Sequence, residues 1–405
     1  MPTALGIVIT SHRTGEGMEF FSGYPQRLLM KRTTATATAT PCRTLCRCLS
    51  GALGHPLTSS DLPASAAQWE KVLRLSGDHL VTPQLRWALR EQDLFSTLPT
   101  DVAEYLEAVY TLNLDKNTRC EEQLAKFIQA LNSLGVRPLL LKGAAVIVGG
   151  LYPTPGERMI TDIDVLIPSE HLPKIIDRLA VEGYRLADGD GKPENIEWPK
   201  HLSHHHYPPI YHPDWPVTIE LHLHPVPLHY GRLLGADEMF REATPLKWHG
   251  GECLLPAPVH FIVHNFIHGF LHDTKYAMKN VSLRQLFEFA LASRTYGNLL
   301  DWNAIRQCCK MLGYEIALRQ YLTLVGVCFG SPFTPSVTAD WVERVRIEPY
   351  LIRMNLQNRA VLRMVNISCL VISRLFVLVR DPGKIKRLLD KDSYLKLRDR
   401  VFPPG

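Results

Sequence analysis

The 405-residue sequence lacks the features that mark secreted, membrane-spanning and repetitive proteins. No basic N-terminal region leads into an apolar core, so no signal peptide is predicted. The most apolar run, residues 361–379, is interrupted by Arg363 and Arg374, and its uncharged centre of ten residues is shorter than the roughly 20 that a membrane span needs. No internal repeat of fixed period is evident. We therefore expect no transmembrane segment and a buried helix at 361–379, with peripheral membrane association as the alternative.

Paired cysteine motifs are also missing. The nine cysteines are scattered and odd in number, and none forms a CxxC pair, so we expect reduced thiols and a cytoplasmic protein. Cys42, Cys46 and Cys48 lie close together, but no matching ligand pair follows them. A zinc site at these three residues is therefore the weaker interpretation.

Acidic residues are absent from one part of the chain, residues 22–50, which also contains a low-complexity Thr-Ala run. We interpret residues 1–41 as a disordered tail or as sequence upstream of a later start codon, Met18 or Met30; a transit peptide is the alternative. The net charge of +5 is mild for this length. It gives no strong signal for nucleic-acid binding, which usually requires a concentrated basic face.

The spacing of apolar residues divides the rest of the chain into three regions. Residues 42–135 show helical spacing, with Gly135 as a C-terminal cap. Residues 136–255 alternate short apolar strands with helices, and residues 256–405 return to a helical pattern. The predicted fold class is α+β: a small mixed-sheet core flanked by helical N- and C-terminal regions.

Two carboxylates stand one residue apart in the apolar segment ITDIDVLIP. In a strand, Asp162 and Asp164 point to the same face, where burial and mutual repulsion are costly unless a cation compensates them. A third acid, Glu220, lies in VTIELHLHP, where apolar and polar residues alternate strictly. Oxygen donors of this kind are the ligands that Mg²⁺ prefers.

This order of strand, small-residue turn, helix, strand with DxD and later strand with an acid resembles the DNA polymerase beta-like nucleotidyltransferase superfamily. Within that superfamily it is similar to a family of uncharacterised nucleotidyltransferases, over about residues 65–295. The matching positions are Leu141-Lys142-Gly143, Leu151-Tyr152-Pro153, Arg158, the segment 162–167 and Glu220-Leu221-His222. The resemblance implies an enzyme that uses a nucleoside triphosphate (NTP).

The resemblance also implies a role for each acid. Asp162, Asp164 and Glu220 would be catalytic and would bind Mg²⁺, or Mn²⁺ in its place, for two-metal chemistry. Glu220 could in addition take the proton of the attacking hydroxyl, although it could also be a solvent-facing strand residue. His222 would orient the Glu220 carboxylate.

Nucleotide binding is assigned to Lys142, Gly143, Ala144 and Arg158. Gly143 opens a helix-capable segment whose N–H groups would face the triphosphate, whereas the competing Gly149-Gly150 turn is followed by prolines. Ala144 stands where the superfamily usually has Ser, so Lys142 and Arg158 would replace the missing hydroxyl. Arg158 could instead neutralise the Asp pair structurally.

Three other functions remain open, and the acceptor could be a small molecule or a protein. They are a catalytically silent nucleotide-binding or interaction module, a protein adenylyltransferase, and a histidine-metal hydrolase. The hydrolase would use a Pro-rich segment that is more typical of exposed surface; its histidines are His201, His204, His205, His206 and His212. His260, His264 and His268 share one helical face, where packed histidines are expected rather than substrate contacts.

Overall fold

The computed structural model describes residues 40–186, 205–272, 275–330 and 341–356. The N-terminal tail, the apolar run 361–379, His201 and His204 lie outside these residues. Within the described ranges the fold class is α+β, as predicted, with helices around one mixed sheet of seven strands.

Four helices precede the sheet. They are α1 (Pro41–Leu49), α2 (Ala66–Asp78), α3 (Thr82–Glu91) and α4 (Thr100–Ser133). The hydroxyls of Thr40 and Ser65 accept hydrogen bonds from backbone N–H groups in the first turns of α1 and α2, which fixes where these helices begin. Helix α4 ends at the predicted glycine: Gly135 has φ +72°, and the Val136 N–H donates to the Leu131 carbonyl.

The sheet is built from seven short strands. They are β1 (Leu139–Leu140), β2 (Asp162–Leu166), β3 (Arg185–Leu186), β4 (Ile210–Tyr211), β5 (Thr218–His222), β6 (Thr244–Trp248) and β7 (Gly251–Leu255). Their spatial order is β3-β4-β5-β2-β1-β7-β6. Strands β2 and β5 are parallel neighbours, as are β1 and β7; the other neighbours are antiparallel. Apolar spacing predicts β1, β2 and β5, but not the hairpin β6–β7 or the two-residue strands β3 and β4.

Further helices connect and cover the strands. They are α5 (Lys142–Val148), α6 (Leu172–Val181), α7 (Ala236–Glu242), α8 (Pro258–Phe266), α9 (Leu283–Tyr296), α10 (Trp302–Met311), α11 (Glu315–Phe329) and α12 (Trp341–Asn355). Helix α8 continues into a π-helical turn, Ile267–Leu271. There the His272 N–H donates to the carbonyl of Ile267, five residues earlier, at 2.8 Å.

Two hydrophobic clusters hold these elements together. The first packs α4 and α6 against the sheet, with Phe127 and Ile163 buried in it. The second joins helices from both ends of the chain, so that Leu45 of α1 shares a core with Phe287 of α9 and Tyr321 of α11. The helical regions on either side of the sheet in sequence thus form one packed layer. The domain boundaries at 135 and 255 stay a prediction.

Helix α4 also fixes the α5–β2 loop, residues 149–161, which leads into the DxD strand. The Asn113 amide donates to the Gly156 carbonyl at 2.7 Å, and the Asn117 amide donates to the Pro155 carbonyl at 2.6 Å. The Lys116 ammonium donates to the Ile160 carbonyl, also at 2.7 Å. Because Asn113 and Asn117 are buried, these bonds position the residues before Asp162 without solvent competition.

We expect Asn117→Ala to lower the free energy of unfolding by about 1–3 kcal/mol, because it removes two hydrogen bonds that a buried side chain donates to the Pro155 and Arg158 carbonyls of the loop. Urea unfolding followed by circular dichroism measures this change. The control is Thr118→Ala, on the exposed side of the same helix, which should change the value by no more than about 0.5 kcal/mol. Equal changes in the free energy of unfolding for the two variants would contradict the role of Asn117 in fixing the loop.

Candidate active site

The predicted acids meet at the centre of the sheet. Strands β2 and β5 pair in parallel with Asp164 directly opposite Glu220, and Leu166 opposite His222. Side chains at alternate positions of neighbouring strands share a face, so Asp162, Asp164, Glu220 and His222 come together. The opposite face of β5 is buried, as the alternation predicts; its residues are Val217, Ile219, Leu221 and Leu223.

Asp164 is the most deeply buried acid of this group, with only 1% of its surface exposed. One of its oxygens, Oδ1, accepts hydrogen bonds from the Lys142 ammonium at 2.6 Å and from His222 Nε2 at 2.8 Å. Burial alone would raise the pKa of this carboxyl, but Lys142 and the His222 hydrogen bond outweigh burial and hold the pKa well below its usual range. Asp164 therefore stays ionised inside the fold.

Lys142 is the first residue of α5, at the turn where the chain leaves β1. Its backbone φ is +44°, a left-handed conformation that is uncommon for a residue with a side chain and is often found at functional sites. The ammonium also lies 3.9 Å from Glu220 Oε2. Burial lowers the pKa of Lys142, but the Asp164 and Glu220 carboxylates outweigh burial and raise it above its ordinary value. The left-handed backbone of Lys142 thus positions its ammonium group beside Asp164 and Glu220.

Asp162 and His222 complete the group. Asp162 is half-buried, and burial together with the neighbouring Asp164 charge raises its pKa. His222 is 1% exposed; burial lowers its pKa, but hydrogen bonds to Asp164 and Glu220 more than offset this and raise it. His222 Nε2 lies 3.6 Å from Glu220 Oε2 and closer to Asp164, so it contacts both carboxylates rather than Glu220 alone.

The donor set suits a divalent cation. One ligand atom from each of Asp164, Glu220 and His222 lies within 4.8 Å of the others. The second oxygen of Asp164, Oδ2, is buried and has no hydrogen-bond partner among the described residues, an arrangement that is costly without a ligand. This grouping contains His222 where the sequence pattern implies Asp162, and a mixed oxygen and nitrogen set also suits Mn²⁺.

The predicted nucleotide-binding residues lie in different surroundings. Gly143 and Ala144 are buried at the start of α5, which has only seven residues. Arg158 is 5% exposed and forms an ion pair with Glu288 of α9, which is 4% exposed. The partner of Arg158 is thus Glu288, and not the pair Asp162 and Asp164 that its alternative, structural role would require. The assignment of Gly143, Ala144 and Arg158 to nucleotide binding stays a prediction.

A cavity of about 470 Å³ opens beside the acids, in the size range of small-molecule sites. Lys142, Asp162 and Glu220 line one part of it. Histidines line another part: His205, His206, His222, His268 and His272. The expectation that His205 and His206 lie on exposed surface is therefore wrong, because the His206–His222 bridge ties their segment to β5 and turns both residues toward the cavity.

Other histidines and three residues that sequence reasoning missed surround this site. His260 and His264 are buried in α8 as expected, and His264 Nε2 bonds to the Pro225 carbonyl at 3.0 Å. His272 continues the four-residue spacing of His260, His264 and His268, whereas Glu288 had no local sequence signal. Arg284 likewise had none; it donates to the Met159 carbonyl at 3.2 Å, and burial together with the nearby Arg158 charge lowers its pKa to about 10.

The three clustered cysteines, Cys42, Cys46 and Cys48, are buried in α1. Cys42 Sγ lies 4.0 Å from Cys46 Sγ, and neighbouring thiols and burial raise the pKa of Cys46 well above its ordinary value, which keeps it protonated. Within the described ranges, the group at Asp164 is the only set of three suitable ligands. No helix in those ranges is long and apolar enough to cross a membrane.

Comparison with known protein families gives a match over most of the chain. The model of a family described as uncharacterised nucleotidyltransferase matches residues 65–330, which include the acids, the Lys142 turn and the histidine-lined cavity. Comparison with curated proteins and with solved structures gives no match.

We expect Lys142→Met to lower the free energy of unfolding at pH 7 by about 3 kcal/mol in EDTA, because it removes the main counter-charge of buried Asp164. Since the folded pKa of Asp164 is depressed, this stabilisation is fully present above the unfolded pKa of about 4 and is lost as pH falls below that value toward the folded pKa. The difference from wild type should therefore stay constant from pH 7 to about pH 5 and narrow as pH falls below about 4. Urea titrations at several pH values test this; a difference independent of pH would contradict it.

Arg158→Met should lower the free energy of unfolding by about 3–5 kcal/mol, because it strands the Glu288 carboxylate in the core. The double variant Arg158→Met, Glu288→Leu should recover most of this loss, since both charges of the buried pair are then absent. Thermal and urea unfolding of the single and double variants form the test. No recovery in the double variant would rule out the pair as the source of the effect. Arg185→Met, on an exposed strand position, serves as the control.

Proposed function

Because this chain belongs to the family of uncharacterised nucleotidyltransferases, we propose that it transfers a nucleoside monophosphate from an NTP to an acceptor, with release of pyrophosphate. The observation that supports this most directly is the register of β2 and β5. It places Glu220 beside Asp164, with Asp162 on the same face at the edge of the cavity.

The acids fit the divalent cations that such a transfer uses. Asp162, Asp164 and Glu220 would hold Mg²⁺ or Mn²⁺, and His222 would orient the carboxylates or serve as a further ligand. The partnerless Asp164 Oδ2 and the raised pKa of Asp162 both indicate negative charge that a cation would relieve. When bound, the metal would supply charge stabilisation at the reacting phosphate and lower the pKa of the attacking hydroxyl.

The chain's own residues would contribute in three ways. Glu220, at 19% side-chain exposure, has access to the cavity and would accept the proton that leaves the acceptor hydroxyl. The acceptor oxygen then bonds to the α-phosphorus while the bond from that atom to the pyrophosphate oxygen breaks. Lys142 would supply positive charge beside the transferred group, and Gly143, Ala144 and Arg158 would shape the turn around the nucleotide.

The decisive measurement is transfer of label from α-³²P-labelled ATP, CTP, GTP and UTP in Mg²⁺ or Mn²⁺, with host lysate as the source of acceptors. We expect wild type to label a product and EDTA to abolish the reaction. Asp162→Asn and Asp164→Asn should each reduce it at least about a hundredfold, because each removes a metal ligand. Asp177→Asn removes an exposed acid on α6 and should leave the rate unchanged.

Each outcome of this assay identifies one function. Labelled protein would indicate a protein adenylyltransferase, and labelled small molecules an enzyme of small-molecule metabolism. Metal-dependent nucleotide binding without transfer would replace the proposal with a silent binding module. Activity that survives loss of Asp162 and Asp164 would overturn the assigned site.

A further inference from the structure

The groups expected to bind the triphosphate are engaged elsewhere in this fold. Ala144 offers no hydroxyl and is 1% exposed. Arg158 is paired with Glu288, and Lys142 is hydrogen-bonded to Asp164. A triphosphate carries several negative charges and needs several donors, so the turn before α5 supplies too few of them.

The cavity beside the acids has another set of donors on its wall. We call His205, His206, His268 and His272 the histidine wall. Its rings are neighbours: the His205 centroid lies 4.4 Å from that of His206 and 5.3 Å from that of His272. The His268 and His272 centroids are 6.1 Å apart. The wall therefore presents a continuous imidazole surface in the same cavity as Asp162 and Lys142.

The π-helical turn brings two of these histidines to the cavity. His268 lies in the turn Ile267–Leu271 and His272 is the residue directly after it, so the turn ends where both side chains line the cavity. Such turns are rare and are frequently found at functional sites. The His264 and His268 rings stack at 6.1 Å, so the α8 face leads from the core, where His264 is buried, to the cavity.

Hydrogen bonding sets the tautomer of His268. Its Nδ1 lies 2.8 Å from the Gln285 side-chain nitrogen, which is a donor, so Nδ1 accepts and the ring proton resides on Nε2. The main chain of Gln285 is also bonded in the core, where its backbone carbonyl accepts from the Asn265 side-chain amide at 3.3 Å. His268 thus presents an oriented N–H donor, as a phosphate-binding group requires.

The protonation states of two histidines in the wall, His205 and His268, agree with this role. Burial, followed by the charges of His206 and His222, lowers the pKa of His205 to about 3, and burial also lowers that of His268 well below its ordinary value. His205 and His268 are therefore neutral at pH 7, and His268 keeps its ring proton on Nε2 as a donor. They do not repel Lys142 in the free protein, and the site avoids a large buried positive charge before the ligand arrives.

We propose that the histidine wall binds the polyphosphate of the NTP and holds it against Asp162 and Glu220. This inference rests on the proposed function and adds to it the groups that contact the phosphates. The main competing explanation is a transition-metal site shared by the same imidazoles. The geometry favours phosphate, because in the described ranges the one group with three ligand atoms within 4.8 Å is Asp164, Glu220 and His222, and it includes no residue of the wall.

The test separates phosphate binding from metal binding. Isothermal titration calorimetry would measure the Kd of Mg-ATP and of Mg-tripolyphosphate, which lacks base and sugar, and electron paramagnetic resonance would measure Mn²⁺ binding alone. We expect His268→Ala and His272→Ala each to weaken both polyphosphate ligands about tenfold, and Mn²⁺ binding to stay within about twofold of wild type. His229→Ala, an exposed histidine outside the cavity, should change nothing.

The outcomes distinguish this inference from the proposed function. Weaker Mg-ATP binding with unchanged tripolyphosphate binding would overturn it in favour of base or sugar contacts. Loss of Mn²⁺ binding in the histidine variants would overturn it in favour of a metal site. Unchanged Kd values in folded His268→Ala and His272→Ala proteins would also overturn it. A wild type that binds Mn²⁺ but neither ATP nor tripolyphosphate would instead refute the proposed function.

Discussion

The buried charge of Asp164 is the constraint on which the site depends. A carboxylate with 1% exposure needs compensation, and the fold supplies it twice: from Lys142 across the strained turn and from His222 on the neighbouring strand. The left-handed backbone of Lys142 and the parallel register of β2 and β5 both contribute to this compensation, because they bring Lys142 and His222 to the Asp164 carboxylate. If any of the three side chains shifted, a buried charge would lose its partner.

A second buried pair ties the helical layer to this centre. Arg158 belongs to the α5–β2 loop and Glu288 to α9, so the segment that enters the DxD strand is fixed by a helix from the C-terminal part of the chain. Arg284 of the same helix bonds to the Met159 carbonyl. With Asn113 and Asn117 of α4 on the other side, the loop is held by both flanking regions. The helices therefore position the site as well as cover the sheet.

The sequence predicts those parts of the site whose pattern lies within a few consecutive residues. Alternation over five residues identifies β5, and the Asp-Ile-Asp spacing identifies the shared face of β2. Pairing between distant residues leaves no such pattern, so the Glu288 partner of Arg158 could not be predicted. The two residues of β4 are too few to show a periodic pattern. Without that strand, the segment before it, which contains His205 and His206, is interpreted from sequence as exposed polar surface. The π-helical turn is equally invisible, because its i+5 bond imposes no characteristic spacing.

The charges of the site also determine which ligand can complete it. Asp162, Asp164 and Glu220 together carry more negative charge than Lys142 and His222 compensate, so polyphosphate alone would add repulsion beside the acids. A divalent cation alone would compete with Lys142 for Asp164 and leave the ammonium in a cavity where His205 and His268 have lowered pKa values. A cation together with polyphosphate avoids both costs, because the phosphates give Lys142 and the His268 N–H group a negative partner when the cation neutralises the acids. The electrostatics of this cavity thus favour joint binding of a cation and a polyphosphate over either alone.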